Sequence, residues 1–144
     1  MIISGANVKP RNIKTNEFVT VMDIAPTVLE LASASYPGKH AAQQVQPMLG
    51  ESMANILFAE GKHVHDSTYA TGLEQSGRAY FRKGKWKIVN LEGPHQDLTF
   101  LLFDIQSDPG ETVDLSKQNQ AKYREMIEGW RAYRETHGIL VAPE

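Results

Sequence analysis

The stretch GRAYFRKGKWKIV, residues 77–89, decides the fold. Its aromatic and β-branched side chains favour extended backbone. Lys83-Gly84 places a flexible residue between the two extended runs, where the chain can reverse direction. The stretch therefore predicts a β-hairpin.

Further extended runs lie on either side of this hairpin. Ser67–Gly72 predicts a strand before it, and Thr99–Ile105 predicts one after it. The last run stops at Asp108-Pro109-Gly110-Glu111, where Pro109 presets φ and Gly110 is expected to take the positive φ of a type II turn. About four strands joined mostly by short turns predict an antiparallel meander.

Helical patterns precede and follow the predicted sheet. Residues 25–34 have apolar side chains on nearly every side, so this helix is expected to be covered on most faces. Ser52 would cap a short helix over Met53–Ala59, which Gly61 closes. The segment between them, 36–50, has no period and is interpreted as a surface connection.

The C-terminal helix is predicted over Lys117–His137, with Ser116 as its cap and Gly138 as the residue that ends it. One face is apolar and should cover the sheet; it carries Tyr123, Met126, Ile127, Trp130 and Tyr133. The fold class is therefore α+β, a small antiparallel sheet packed against a long C-terminal helix.

Composition excludes several classes of function. The chain has 144 residues, 41% of them hydrophobic, and its net charge of -2 provides no field for nucleic acid or an anionic bilayer. It has no cysteine, so disulfides, thiolate metal sites and thiol catalysis are excluded. No apolar run reaches membrane-spanning length, and no signal-peptide pattern opens the chain. Neither nucleic acid nor a membrane is expected as a partner.

Several motifs together resemble the C-terminal part of the arylsulfatases, members of the alkaline-phosphatase-like superfamily. VTVMDIAPTVLELA, beginning at Val19, is similar to the family segment in which an acidic residue is followed, after two residues, by Pro-Thr and a Leu-rich helix. Residues 77–89 resemble the family's C-terminal hairpin. The closing strand and turn match at Leu102-Phe103-Asp104, Asp108-Pro109-Gly110-Glu111 and Asp114-Leu115, and the resemblance covers about Phe18 to Leu140.

The resemblance implies that the chemistry of the parent enzyme lies outside this sequence. Sulfatases use a formylglycine made within a Cys/Ser-x-Pro-x-Arg motif and a divalent cation, usually calcium, and neither site has a counterpart here. We assign no catalytic residue and no metal ligand, and we expect this chain alone to be inactive. Residues 1–50 would be the end of the large α/β domain, with a strand remnant at Ile2-Ile3 and a helix, and 51–144 the C-terminal domain.

Three groups of residues have a second interpretation as binding sites. His63-Val64-His65-Asp66 would offer two imidazoles to a metal, but adjacent positions of one loop rarely complete a coordination sphere, so solvated loop residues are favoured. The acidic residues Asp104, Asp108, Glu111 and Asp114 lack EF-hand spacing and are interpreted as turn caps.

The third group is Lys83, Lys85 and Lys87, which would bind anionic ligands while Trp86 stacks on a base or sugar. Strand alternation would place the lysines on one face and Trp86 on the other, so a solvated charged face over a core tryptophan is favoured. The alternative function is accordingly an independent binding module for anionic ligands.

The main functional hypothesis is a non-catalytic part of a sulfuric ester hydrolase that supports and partly lines the active-site cleft. Glu74, Arg78 and His95 are the candidates for facing that cleft, because they lie in or beside loops at the ends of the sheet. The expected partners are the missing catalytic domain and, since the helix at 25–34 would lack cover, another copy of the chain. That contact is predicted to contain Val21, Met22, Val28 and Leu29.

Overall fold

The computed structural model describes residues 1–5, 7–8, 14–58, 63–92 and 99–140. Internal contacts divide the chain into two units, Met1–Asp66 and Ser67–Glu144, called here unit 1 and unit 2. The predicted boundary after residue 50 concerns the domains of a parent enzyme and stays a prediction. No helix among the described residues is long and apolar enough to cross a membrane.

Unit 1 contains two short helices and a small hairpin. A 3-10 turn over Val21–Asp23 leads directly into α1, Ile24–Leu31, and α2 follows at Ala54–Phe58. Ser52 Oγ accepts a hydrogen bond from the backbone N–H of Ala54 at 3.1 Å, as expected of a cap.

The connection between α1 and α2 has a feature that the sequence did not predict. Strands β1, Lys39–His40, and β2, Gln43–Gln44, form an antiparallel pair. The turn between them puts Ala41 and Ala42 at φ values of 47° and 66°, a region that glycine or asparagine usually occupies. Alanine at these two positions gives no turn signal, which is why the pattern predicted only a loop. At the start of the unit, the predicted strand at Ile2-Ile3 is absent from the described structure of residues 1–5.

Unit 2 is built on a four-stranded antiparallel sheet. The strands follow each other in space as in sequence, which confirms the predicted meander; they are β3 Ala70–Gln75, β4 Arg78–Lys83, β5 Trp86–Asn90 and β6 Leu101–Asp104. Ser76 and Gly77 connect β3 to β4 with positive φ at both residues, 54° and 78°, the geometry of a tight hairpin turn. The reversal after β4 occurs at Gly84, φ 58°, and Lys85.

Helix α3, Gln120–His137, covers one face of the sheet. The predicted apolar face is confirmed: Met126, Ile127 and Trp130 are buried, and Tyr123 and Tyr133 pack against the same core. Gly138 adopts the left-handed conformation that ends the helix, as predicted. The N-cap is Asn119, whose side chain accepts from Lys122 N, and not Ser116, whose hydroxyl donates to Asp114 instead.

Two glycines allow α3 to approach the sheet closely. A Cβ on Gly129 would lie 2.8 Å from the ring of Phe81, and one on Gly72 would lie 2.9 Å from the ring of Trp130. Glycine costs helix stability at an interior position such as 129. Here it provides the space in which the buried Phe81 ring packs against the helix backbone.

The turn after β6 differs from its prediction in one respect. The residue with positive φ is Glu111, at 53°, and Gly110 is not among the glycines with positive φ. The Asp108 carboxylate accepts hydrogen bonds from the N–H groups of Thr112 and Val113 at 2.7 and 2.9 Å. These bonds hold a wider turn than the four-residue type II turn, so the strained residue lies one position later.

Candidate functional site

The carboxylate of Asp23 in unit 1 is completely buried. Its Oδ2 accepts from the backbone N–H of Thr20 at 2.6 Å and lies 3.0 Å from Nε2 of His65. Its Oδ1 accepts from the backbone N–H of Glu51 at 2.9 Å. One carboxylate therefore joins three segments that are far apart in the sequence.

Thr27 completes this arrangement one helical turn after Asp23. Its hydroxyl donates to the backbone carbonyl of Asp23 at 2.5 Å and accepts from the backbone N–H of Met53 at 2.9 Å. Pro26 lies in the first turn of α1, where a missing N–H costs no helical bond. The Asp-Ile-Ala-Pro-Thr sequence thus holds the 51–53 segment with its two polar side chains, and we call this arrangement the Asp23 clasp.

Gly50 is required for the Asp23 clasp on steric grounds. A Cβ at this position would lie 2.1 Å from the carbonyl oxygen of Met22 and 2.7 Å from the backbone nitrogen of Asp23. Backbone atoms cannot move aside as a flexible side chain can. The absence of a side chain at residue 50 therefore lets the N–H of Glu51 reach the carboxylate.

The electrostatics of the Asp23 clasp favour the charged carboxylate. Burial by itself raises the pKa of Asp23, but hydrogen bonds from the amides of Thr20 and Glu51 and the interaction with His65 outweigh it and lower the pKa below its ordinary value of 3.8. Asp23 is therefore ionised at neutral pH and acts as a hydrogen-bond acceptor. An ionised buried carboxylate with these partners holds the backbone in place.

The His63-Val64-His65-Asp66 motif is bound to this part of unit 1. His65 has a side chain only 5% exposed and also lies 3.8 Å from Oε1 of Glu51, and Nδ1 of the exposed His63 lies 3.0 Å from Oε1 of Glu17. The expectation of solvated loop residues is therefore wrong for His65. Its role is to bring one segment to the carboxylate of another, which the spacing within the motif does not encode.

Three of the four acidic residues at and after the end of β6 accept backbone N–H groups, as expected of turn caps; they are Asp104, Asp108 and Asp114. Glu111 forms an ion pair with Lys87 instead. Asp114 Oδ1 accepts from the N–H groups of Leu102 and Ser116 at 3.1 and 2.9 Å. Asp104 accepts from Lys85 Nζ, which holds the pKa of that carboxyl below its ordinary value. Within the described ranges, no group of three or more His, Asp or Glu side chains could hold a metal ion.

The three lysines of the central hairpin do not share one strand face. Lys83 pairs across the sheet with Trp86 and therefore lies on the same face as this tryptophan, whereas Lys87 pairs with Arg82 on the opposite face. Lys85 belongs to the two-residue turn between the strands. The prediction that the three lysines share one face was wrong, because the turn separates two strands and the alternation of faces does not continue through it. Two of the charges are also compensated, Lys85 by Asp104 at 2.6 Å and Lys87 by Glu111 at 2.5 Å.

Two of the three predicted cleft residues lie beside the β3–β4 turn. Glu74 is half-buried, and its Oε1 accepts from the N–H of Gly77 at 2.7 Å, so this carboxylate holds the turn. Arg78 is exposed and begins β4, directly across from Gln75. His95 lies outside the described residues. The structure therefore places Glu74 and Arg78 on one hairpin.

Sequence comparison finds relatives that are named as sulfatases. The chain is 36% identical over 138 residues to an uncharacterized sulfatase of Schizosaccharomyces pombe, which covers 95% of this chain and 24% of the relative. It is 26% identical over 125 residues to a sulfatase of Formosa agariphila, covering 80% of this chain and 22% of that protein. The chain is a relative of the sulfatases. It spans about a quarter of the length of these two relatives.

Solved structures share the fold of this sulfatase relative. Ps i-CgsB superposes with a TM-score of 0.58 at 22% identity, over 81% of this chain and 24% of that one. BT4656, solved with its substrate D-glucosamine-2-N,6-O-disulfate, superposes with a TM-score of 0.55 at 16% identity, over 78% of this chain and 23% of that one. No protein-family model matches the chain.

The sequence interpretation used Asp23 and Thr27 only as part of a motif and missed what they bind. A signal for part of the Asp23 clasp was present, since Thr20 and Asp23 have the spacing of a capping box. The contacts to residues 51, 53 and 65 span 26 to 42 positions of sequence. No local pattern predicts such contacts.

Proposed function

We propose that this chain is the C-terminal, non-catalytic portion of a sulfuric ester hydrolase, and that it supports and partly lines the active-site cleft of the full enzyme. The observation that carries the proposal is the similarity to two sulfatases over 80–95% of this chain and only 22–24% of theirs. Its partner would be the catalytic portion of the enzyme, and calcium and formylglycine would belong to that portion.

The residues of this chain fit a supporting role and not a catalytic one. The sequence has no cysteine and no Ser-x-Pro-x-Arg, so it contains no precursor of a formylglycine. The carboxylate of Asp23 is buried and accepts backbone hydrogen bonds. In unit 2, the sheet and α3 form a hydrophobic core that can hold the β3–β4 turn in a fixed conformation.

Arg78 is the strongest candidate for contact with substrate. It is an exposed cation beside the turn of the β3–β4 hairpin, and the neighbouring Glu74 accepts a hydrogen bond from the N–H of Gly77 in that turn. A guanidinium forms paired hydrogen bonds with planar or tetrahedral oxyanions. We therefore assign Arg78 to contact with an anionic part of the substrate and Glu74 to support of the turn, while His95 stays a predicted cleft residue.

The first experiment assays the purified chain with an aryl sulfate and added calcium. We expect no turnover above the buffer background, because the chain lacks both the electrophilic aldehyde hydrate and a cation site to stabilise developing charge. Turnover that survives repurification would contradict the proposal.

A chimera tests the supporting role directly. This chain would replace the corresponding quarter of the Schizosaccharomyces pombe relative, and sulfatase activity is expected to be retained only when the replacement is present. In the chimera, Arg78→Ala should raise KM by roughly ten- to a hundredfold with a smaller change in kcat, since a lost charged contact costs about 1.5–3 kcal/mol. Arg124→Ala, an exposed arginine of α3, is the matched control and should change neither parameter.

The alternative, an independent binding module for anionic ligands, has weaker support. It required Lys83, Lys85 and Lys87 to present one face, whereas the first and last lie on opposite faces and two of the three are paired with carboxylates. Binding of a sulfated polysaccharide to the isolated chain that is lost in Lys83→Ala would restore this alternative.

A further inference from the structure

The sheet of unit 2 has a second face, which points away from α3. Phe81, Ile88 and Leu102 point toward α3 and belong to its hydrophobic core. Because side chains alternate along a strand, the residues between them point to the opposite side. This opposite side is called here the outer face, and it consists of Arg78, Tyr80 and Arg82 of β4 with the residues level with them on β3, β5 and β6.

The outer face carries positive charge. Arg78 and Arg82 lie on either side of Tyr80 along β4, and Lys87 lies directly across from Arg82 on β5. None of the described strand residues on this face has a carboxylate. One carboxylate, that of Glu111 in the turn after β6, pairs with Lys87. The strands therefore offer more cations than anions on this side, which favours an anionic ligand.

Tyr80 provides an aromatic ring between these cations. It is half-buried, and Lys87 Nζ lies 5.4 Å from the centroid of its ring. Arg82 is also half-buried, and burial lowers its pKa although the neighbouring Tyr80 opposes that shift. A guanidinium stays charged in proteins, so a partly desolvated one interacts more strongly with an anion than a fully hydrated one. A ring flanked by such groups suits a sugar that carries anionic substituents.

The separation of the two arginines favours a polymer over a small ligand. A strand rises by about 3.3 Å per residue, so Arg78 and Arg82 are about 13 Å apart along β4. Arg82 Nε donates to the carbonyl of Gly84 at 3.0 Å, which directs this guanidinium toward the β4–β5 turn and away from Arg78. A ligand that contacts both arginines therefore needs anionic groups repeated along a chain.

We propose that the outer face binds a sulfated polysaccharide along β4, with Arg78 and Arg82 on two sulfate groups and Tyr80 on the sugar between them. The inference rests on the proposed function for the role of this polymer as substrate, and it makes the substrate class polymeric. Single-stranded nucleic acid fits less well, because its binding sites stack successive bases on aromatic rings. The other aromatic residue of the outer face, Phe103, is buried.

Binding of dextran sulfate to the purified chain tests this surface. Arg78→Ala and Arg82→Ala should each weaken binding by roughly tenfold or more, since each removes a charged contact. Tyr80→Ala should weaken binding as well, whereas Tyr80→Phe keeps the ring and should bind like the wild type. Lys83→Ala is the matched control, because Lys83 has the same charge and follows Arg82 on β4 but points to the other face.

Further measurements keep the result specific. The denaturant midpoint of each variant separates a lost contact from lost folding, and Arg82→Lys, which keeps the charge, should retain part of the affinity. Unsulfated dextran should not bind, and oligothymidylate should bind more weakly than dextran sulfate. No binding of dextran sulfate, tighter binding of oligothymidylate, or an equal loss in Lys83→Ala overturns the proposal.

The chimera separates this inference from the proposed function. In an active chimera, dextran sulfate should inhibit turnover of an aryl sulfate, and Arg82→Ala should weaken that inhibition by roughly tenfold. An active chimera that dextran sulfate does not inhibit leaves the proposed function intact and overturns the inference, since the outer face is then closed to the polymer. An inactive chimera, together with binding of dextran sulfate to the isolated chain, contradicts the proposed function and supports the outer face as a binding surface.

Discussion

Unit 1 and unit 2 are stabilised by different kinds of interaction. In the described part of unit 2, ten apolar residues are buried, and eight of them, including Trp130, form one core cluster. In the described part of unit 1, the buried apolar residues are Met53, Ala54 and Val64, while the buried polar residues Asp23 and Thr27 connect its segments. Hydrophobic burial is non-directional, whereas a buried hydrogen-bond network depends on each partner.

This difference explains why the two units differ in what remains exposed. Unit 2 has its own core, and α3 places its aromatic face inside it. The described part of unit 1 buries the polar residues Asp23 and Thr27, while apolar side chains such as Val21, Val28 and Leu31 are exposed. A unit arranged in this way gains stability when another surface covers it, which agrees with a segment that belongs to a larger assembly.

The largest expected effect is that of Trp130→Ala in unit 2. Trp130 is fully buried against Phe81 and Phe100, and truncating a buried tryptophan costs about 3–5 kcal/mol. The denaturant midpoint should fall strongly. Trp86→Ala, at the half-buried tryptophan, is the control and should cost less. An unchanged midpoint in Trp130→Ala would show that α3 is not packed as described.

The second effect concerns unit 1 and the Asp23 clasp. Asp23→Ala removes the acceptor of two backbone N–H groups and of His65, and the cost should be about 3 kcal/mol, confined to unit 1. Hydrogen exchange should show amides of α1 and α2 losing protection while those of α3 keep theirs. Glu30→Ala, at an exposed site of α1, should leave both patterns unchanged. Equal loss in both units would contradict the comparison.

The smallest effect is the response of unit 1 to acid. The folded-state pKa of Asp23 lies below the ordinary 3.8, so its stabilisation is present above that value and is lost as pH falls through the lower folded pKa. Amide protection in unit 1 should therefore stay constant down to about pH 5 and decline below it, as the pH approaches and passes the ordinary value of 3.8. Asp23→Asn should flatten this decline in unit 1, whereas Asp104→Asn in unit 2 should not. The same slope in the wild type and in Asp23→Asn would assign the acid response to other groups.

The sequence by itself determined the elements whose residues follow a regular period or end at a glycine. The four strands, the apolar face of α3 and the left-handed Gly138 follow from alternation, from helical spacing and from the freedom of glycine at positive φ. The order of the motifs also indicated the sulfatase relationship. These properties depend on neighbours within a few residues, and such neighbours are visible in one sequence.

Only the tertiary structure decided which distant groups meet. Glycine is unfavourable within a helix, but a Cβ at position 129 would lie only 2.8 Å from the ring of Phe81, so the fold requires Gly129 there. His65 looks like a loop residue until Asp23, 42 positions earlier, is seen beside it. Buried backbone amides and aromatic rings acquire their partners only when the whole chain packs. Each buried polar group needs a hydrogen-bond partner, and that partner can come from a distant segment. The local pattern contains no record of those partners.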